Sequence, residues 1–216
     1  MKKIWYSKRV IFLVIVTVIM VLVFSFKTFS HNITQNSGNL KSKYTVLNTH
    51  ANYIKYGNLD ELTAKADLIV IAKPYTEITN DKKYIKRFKD TNDIIDYHTI
   101  SPVQVLKVIK GDKQLGNAKV SIFQRAVILD EKDEQGRNIL IKPEEYTVLK
   151  DGATYLLFLA KIGDDQYSIL GLNQGKMNID GQDKDEQDLA EGIKHYSELK
   201  NSALNKYKKE IQQYKN

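Results

Sequence analysis

The chain has 216 residues, 42% hydrophobic and 27% charged, with 3 Pro, 11 Gly and no Cys, a composition that fits one globular domain with appendages and excludes low-complexity, collagen-like and disulfide-stapled proteins. The net charge of +7 belongs largely to one end: residues 1–27 hold five Lys or Arg and no acid, leaving 28 basic against 26 acidic residues beyond, a net of +2. With no Arg-rich patch and no aromatic–basic ribonucleoprotein motif, nucleic acid is not an expected partner.

The first element is an apolar run, Val10 to Phe26, 17 residues interrupted by Thr17 and Ser25. As a helix it spans roughly 25 Å, close to the hydrocarbon thickness, with Trp5 and Tyr6 as interfacial anchors. Lys2, Lys3, Lys8 and Arg9 precede it and Lys27 follows, so the N-terminus is expected in the cytoplasm and the remainder outside. A cleaved signal peptide is the rival reading; no Ala-x-Ala occurs, Thr28-Phe29-Ser30 is a weak substitute, and no Cys offers a lipoprotein anchor. The expectation is a single-pass cell-membrane protein, held through residues 10–26, with an extracytoplasmic domain that is secreted if the anchor is cleaved. A cysteine-free extracytoplasmic domain best suits a bacterial cell surface. Residues 1–27 are thus the cytoplasmic start and signal anchor, and the Asn- and Ser-rich residues 28–43 a polar stalk.

From residue 44 the chain enters either a helix or an irregular lead-in, "YTVLNTHANYIKYG". Asn58 followed by Glu61 is a capping-box spacing for a short helix ending near Ala66. "ADLIVIAKP" reads as a strand, with Pro74 demanding an edge or a bulge. The polar "NDKKYIKRFKDTND" reads as a long, mobile excursion. "IIDYHTISPVQVLKVIKGD" gives a second strand stopped by Gly111-Asp112, with Val103, Val105 and Val108 inward. "AKVSIFQRAVIL" gives a third, alternating Ala118, Val120 and Ile122 with Lys119 and Ser121. A turn at Lys150-Asp151-Gly152 precedes the apolar strand from Tyr155 to Ala160, and "IGDDQ" connects by a hairpin to a fifth strand or strand pair in "YSILGLNQGKMNID".

The tail reads as one amphipathic helix over residues 183–216. Leu189, Ile193, Tyr196, Leu199, Ala203, Tyr207, Ile211 and Tyr214 recur every three or four residues on one face. Asp183 and Glu186 supply a capping box, acids crowd the first turns and Lys206, Lys208, Lys209 and Lys215 the last.

The fold class expected is mainly β with flanking helices (α+β): residues 44–182 form a five-stranded closed antiparallel barrel of the oligonucleotide/oligosaccharide-binding type. The order of short helix, "ADLIVIAK", long excursion, "VQVLKVIKG", "VSIF" and "YLLFLAKIGDDQYSI" before an acidic helix resembles the netrin-like domain of the tissue inhibitors of metalloproteinases, over about residues 58–200. The resemblance implies a fold and a binding role. Those inhibitors chelate a protease zinc through an N-terminal cysteine and carry disulfides, and this chain offers no position onto which those residues map.

The chemistry-bearing residues are sparse. The four histidines, His31, His50, His98 and His195, show no His-x-x-x-His pair, and neither a Gly-x-Ser-x-Gly elbow nor a phosphate-binding glycine loop occurs. The acidic stretches at 130–136 and 180–188 lack calcium-loop spacing and read as a solvated loop and a helix start. No catalytic residue, metal site or cofactor is expected. Asn32-Ile33-Thr34 has the form of a glycosylation sequon. Tyrosine is abundant, 13 copies against 7 Phe, and its ring with a polar tip suits contact surfaces. Tyr84, Arg87 and Phe88 lie in the polar excursion, where core packing explains them least, and are the expected binding residues. The function expected is that of a binding module for a protein partner, or alternatively for cell-wall polysaccharide or lipid, with no catalysis of its own.

Overall fold

The apolar run at residues 68–72 is buried on both faces, and the fold is organised around that. The computed structural model describes residues 43–78 and 83–215; the expected membrane run and nearly all of the stalk lie outside them. Among the described residues no helix is long and apolar enough to cross a membrane.

Strand β1 (Tyr44–Thr49) opens the described chain, followed by helix α1 (Leu59–Lys65). Asn58 caps α1, its Oδ1 accepting from Glu61 N at 2.9 Å, while the Glu61 carboxylate reaches back to accept from Gly57 N at 2.9 Å. The expected cap is therefore present, with its return bond moved one residue outward. Next come β2 (Leu68–Pro74), β3 (Lys83–Arg87), the 17-residue β4 (Ile94–Lys110), β5 (Lys119–Gln124), β6 (Val127–Lys132), β7 (Asn138–Pro143), β8 (Tyr155–Lys161), β9 (Gln166–Ile169) and β10 (Lys176–Asn178). Helices α2 (Lys184–Gly192), α3 (Lys194–Lys206) and α4 (Lys208–Ile211) finish the chain.

Five strands close on themselves. β2 pairs antiparallel with β4 and β8, β4 with β5, and β8 with β9, while β5 and β9 run parallel and complete the circuit. The chain is mainly β, built on a closed five-strand barrel with a few helices. The expectation of an all-antiparallel barrel fails at the β5–β9 seam. β10 extends the barrel sheet along the first half of β8, Met177 opposite Leu156.

Leu68, Val70, Ala72, Leu157 and Leu159 point into the barrel and meet Val103, Val105, Val120 and Ile122. The alternate residues Ile69, Ile71, Leu156 and Phe158 point outward, under Leu62 of α1 and Leu199, Ala203, Tyr207 and Ile211 of the C-terminal helices. A strand covered on both faces needs apolar residues at every position, which is why β2 and β8 read as continuous runs. Gly111, the expected stop of β4, has φ +101, and a Cβ there would sit 2.7 Å from Asp67 O, so glycine is required.

A second sheet, ordered β1-β7-β6, lies outside the barrel, with β1 parallel to β7. The lead-in expected to be helical or irregular is thus a strand over residues 44–49, and the expected third strand divides at Arg125, β5 staying in the barrel while β6 joins the second sheet. One face of that sheet, Ile128 and Leu140, packs with Tyr44, Tyr146 and Val148. The other, Val127, Leu129 and Ile141, packs against Tyr97, Ile85 and Ile94 of the β3–β4 hairpin.

The single tail helix is also corrected. The helix breaks at Ile193, whose φ −121 and ψ 99 are extended, and again at Tyr207. Of the eight residues on the expected face, Tyr196, Leu199, Ala203, Tyr207 and Ile211 are buried, and Leu189, Ile193 and Tyr214 are half-buried. Gly192 ends α2 where helix propensity is weakest.

Candidate functional site

The excursion that carries the expected binding residues ends in a hairpin. β3 pairs antiparallel with the outer half of β4, Tyr84 opposite His98, Ile85 opposite Tyr97 and Lys86 opposite Asp96. In the turn, Phe88 N donates to Asp93 O at 2.9 Å, Asn92 N returns a bond to Phe88 O at 3.2 Å, and Asn92 takes φ 63, a conformation Asn tolerates well. The inner side, Ile85 with Tyr97, is backed by the second sheet. The polar segment expected to be mobile is therefore, over residues 83–94, a hairpin held from behind.

The three expected residues do not serve together. The Arg87 guanidinium donates to Asn92 O at 3.1 Å and to Glu131 at 3.4 Å, tying the turn to β6. Tyr84 and Phe88 are exposed, 44% and 53%.

Tyr84 begins a row of rings that the sequence concealed. Its ring stacks on His98 at 4.9 Å and 24°, and His98 stacks on Phe123 of β5 at 4.3 Å and 29°. All three project from the outer side of the sheet, because Tyr84 lies opposite His98 on β4 and Phe123 lies opposite Ile100, two residues along. Burial between two rings, assisted by the Arg125 charge and opposed by Asp96, pulls the His98 imidazole below its ordinary value. The lowered value favours the neutral form of the imidazole between the two rings. His98 Nδ1 is buried without a hydrogen-bond partner.

Past Phe123 the row runs into a cleft of about 630 Å³ lined by residues 49–54, the outer end of β4, and residues 168–172. Two exposed aliphatic residues, Ile54 and Ile95, stand on its rim, and Tyr146 lines its buried end. Arg125, in its wall, donates to Asp96 at 2.5 Å and lies 5.2 Å over the Tyr97 ring. A second cleft of about 640 Å³ lies between β1 and α2. Among the described residues, none of the large exposed apolar side chains lines it, and its walls carry Lys142, Glu144, Glu145 and Asp188. The first cleft is the better candidate, because a concave site edged by exposed apolar groups marks an interaction surface.

The acidic stretches organise turns. The Asp133 carboxylate accepts from the Thr45 hydroxyl, from Arg137 N and Arg137 Nε at 2.7 Å each, and from Gln135 N at 3.0 Å. Those bonds, the Thr45 hydroxyl first, hold it down at about 2. Asp180 accepts from Thr154 N at 2.7 Å and Asn178 Nδ2 at 2.8 Å. Among the described residues no group of three or more His, Asp and Glu converges to hold a metal ion.

Comparison with protein-family models, with curated proteins and with solved structures finds no match.

Proposed function

We propose that this chain is a binding module without catalytic activity, displayed outside the cell membrane by its N-terminal apolar run, that recognises a protein partner through the outer face of β3, β4 and β5 and the adjoining cleft. The observation that carries the reading is the group of exposed apolar side chains there: Tyr84, Phe88, Ile54 and Ile95. Aromatic and aliphatic anchors beside an arginine, on a backed and therefore preorganised hairpin, are the composition of a protein-binding hot spot. The circuit β2-β4-β5-β9-β8 supports an oligonucleotide/oligosaccharide-binding type of barrel, in which the second and third barrel strands form the ligand face; here those are β4 and β5. A netrin-like lineage of that barrel is part of the proposal and rests on the sequence pattern.

A protein is favoured over wall polysaccharide because of how the rings stand. Sugar stacking uses an open ring face, whereas His98 has both faces covered by Tyr84 and Phe123. Apolar groups beside an Arg125–Asp96 pair suit side chains of another protein.

The test is capture of a partner from the cell's own membranes by the full-length protein, compared with Tyr84→Ser/Phe88→Ser and Ile95→Lys variants that keep the wild-type circular dichroism. Loss of capture by about 30-fold or more is expected, the worth of a hot-spot residue. Undiminished capture by both folded variants removes this face as the contact surface, and sedimentation of the domain with purified wall glycan in place of a protein partner transfers the role to polysaccharide.

A further inference from the structure

Lys176 is among the largest fully buried side chains of the described residues, with 0% of its surface exposed. It lies where β10 passes between the barrel and α3. Its Nζ donates to Thr147 O at 2.6 Å and to the Thr147 hydroxyl, and lies 5.9 and 5.6 Å from the Tyr146 and Tyr155 ring centres. Facing it, 3.7 Å from Nζ, is Oδ2 of Asp183, whose side chain is also 0% exposed. That separation exceeds a hydrogen bond, so the amine and the carboxylate adjoin without satisfying each other.

Both carboxylate oxygens are held by other groups. Oδ1 accepts from the Glu186 backbone N at 3.2 Å, Asp183 being the N-cap of α2. Oδ2 accepts from the Tyr155 hydroxyl at 2.9 Å, and that hydroxyl oxygen accepts from Lys150 N at 2.8 Å. An amine stripped of water, a carboxyl with one oxygen on a backbone N–H at a helix start, and a phenol on the other oxygen are the parts that amide formation needs. Burial pulls the Lys176 amine below its ordinary value against the opposing charges of Asp183 and Glu186. Burial, and then the Asp183 charge, hold the Tyr155 hydroxyl well above its own, so the phenol keeps its proton to donate.

We propose that Lys176 and Asp183 condense to an intramolecular amide that ties α2 covalently to the barrel sheet. One proton passes from the ammonium to the carboxylate, giving a neutral amine and a carboxylic acid. Nζ then attacks Cγ; the C–N bond forms, and the charge that develops on Oδ1 rests on the Glu186 N–H. Tyr155 donates its proton to Oδ2 and recovers one from the nitrogen. The Cγ–Oδ2 bond breaks, and Oδ2 leaves as water. Ammonium plus carboxylate become amide plus water, so atoms and charge balance and no co-reactant is needed. The Oδ1 of the amide continues to cap α2.

The test is the intact mass of the denatured full-length protein, followed by tryptic mapping. The expected result is a mass lower than the sequence by one water, with residues 162–184 recovered as one peptide uncut at Lys176. Asp183→Asn should reach the same final mass by releasing ammonia, Lys176→Arg should keep its full sequence mass, and Tyr155→Phe should slow the reaction by about 100-fold or more, as loss of a general acid does. An unreduced wild-type mass, both fresh and after prolonged incubation at mildly alkaline pH, overturns the proposal. So does a water loss that leaves Lys176 open to trypsin, which is the succinimide that Asp180-Gly181 forms.

Discussion

Replacing Glu186 by Ala should cost the fold about 3 kcal/mol, within a range of about 2–4. The side chain is 0% exposed. Oε2 accepts from Lys200 Nζ at 2.6 Å, and Oε1 accepts from the Tyr196 hydroxyl and from Asn178 N at 3.3 Å. The three partners lose unequally. The single Tyr196 hydroxyl proton, shared between Glu186 and Lys176 O, can go wholly to Lys176 O at 2.6 Å, and the Lys200 ammonium, 13% exposed, can turn to solvent. The Asn178 N–H, on a residue 3% exposed, is left buried and unpaired, which costs about 1–3 kcal/mol, and a charge-assisted bond of about 1.5–3 kcal/mol goes with it. Relief of the desolvated carboxylate offsets part of this.

For a domain of this size the change should lower Tm by roughly 6–12 °C and shift the urea midpoint without altering the slope. Lys200→Met should cost at least as much, because it strands the carboxylate in the interior, whereas Glu186→Gln keeps shape and acceptor and should cost about half. Circular dichroism melts of the three variants decide. A Glu186→Ala protein within about 0.5 kcal/mol of wild type, a surface-like value, would refute the reasoning that this carboxylate fastens the helical tail to β10.

Asp133 is held at about 2, below its unfolded value near 4, so its stabilisation is complete above about pH 4 and lost as pH falls toward 2; Asp133→Asn should flatten that part of an acid-unfolding curve, and an unchanged curve would deny the role of the Thr45 and Arg137 bonds. His98 has a lowered folded-state value, so the unfolded chain takes up its proton first and stability falls as pH drops below about 6.5. His98→Phe should remove that slope while keeping the ring row, as pH-jump fluorescence would record. Gly175→Ala would place a Cβ 2.6 Å from Phe158 O and 2.9 Å from both Leu170 N and O; because all three are backbone, overpacking should cost about 1–3 kcal/mol, measured by urea unfolding, and a neutral result would mean the β9–β10 connection yields.

What the sequence makes legible is what depends on neighbours along the chain. The α1 cap, the β2 and β8 runs and the Gly111 stop are each decided within a few residues, and each was readable. β1 and β7 were not, because Tyr44 pairs with Asn138, and nothing local in "YTVLNT" announces a parallel partner so distant. β3 was hidden by charge: in "KYIKR" Ile85 alone is an apolar residue turned inward, too thin a signal for period-2 reading. The tail misled in the opposite direction. Its helical period continues through Leu189 and Ile193, yet these half-buried residues line clefts and do not enter the core, so the chain can break between them without loss of packing.

The candidate surface was half legible for the same reason. An unusual density of Tyr and Phe in a polar segment marked Tyr84 and Phe88, but His98 and Phe123 sit in strands that read as ordinary core, and only pairing across β3, β4 and β5 aligns the three rings. Glu186 shows how one residue can satisfy a local rule and a distant one. Its spacing from Asp183 is that of a capping box, and Asp183 does cap α2 through Glu186 N, but the Glu186 side chain turns away to Tyr196 and Lys200. Local spacing selects the residue type, and the fold decides where the charge goes. Here it goes to Lys200, 2.6 Å away, at the seam where barrel, β10 and helical tail meet. A seam held by paired charges and oriented hydrogen bonds fixes the helices in one place on the barrel more narrowly than apolar contact could, since a shifted register would leave buried charge uncompensated.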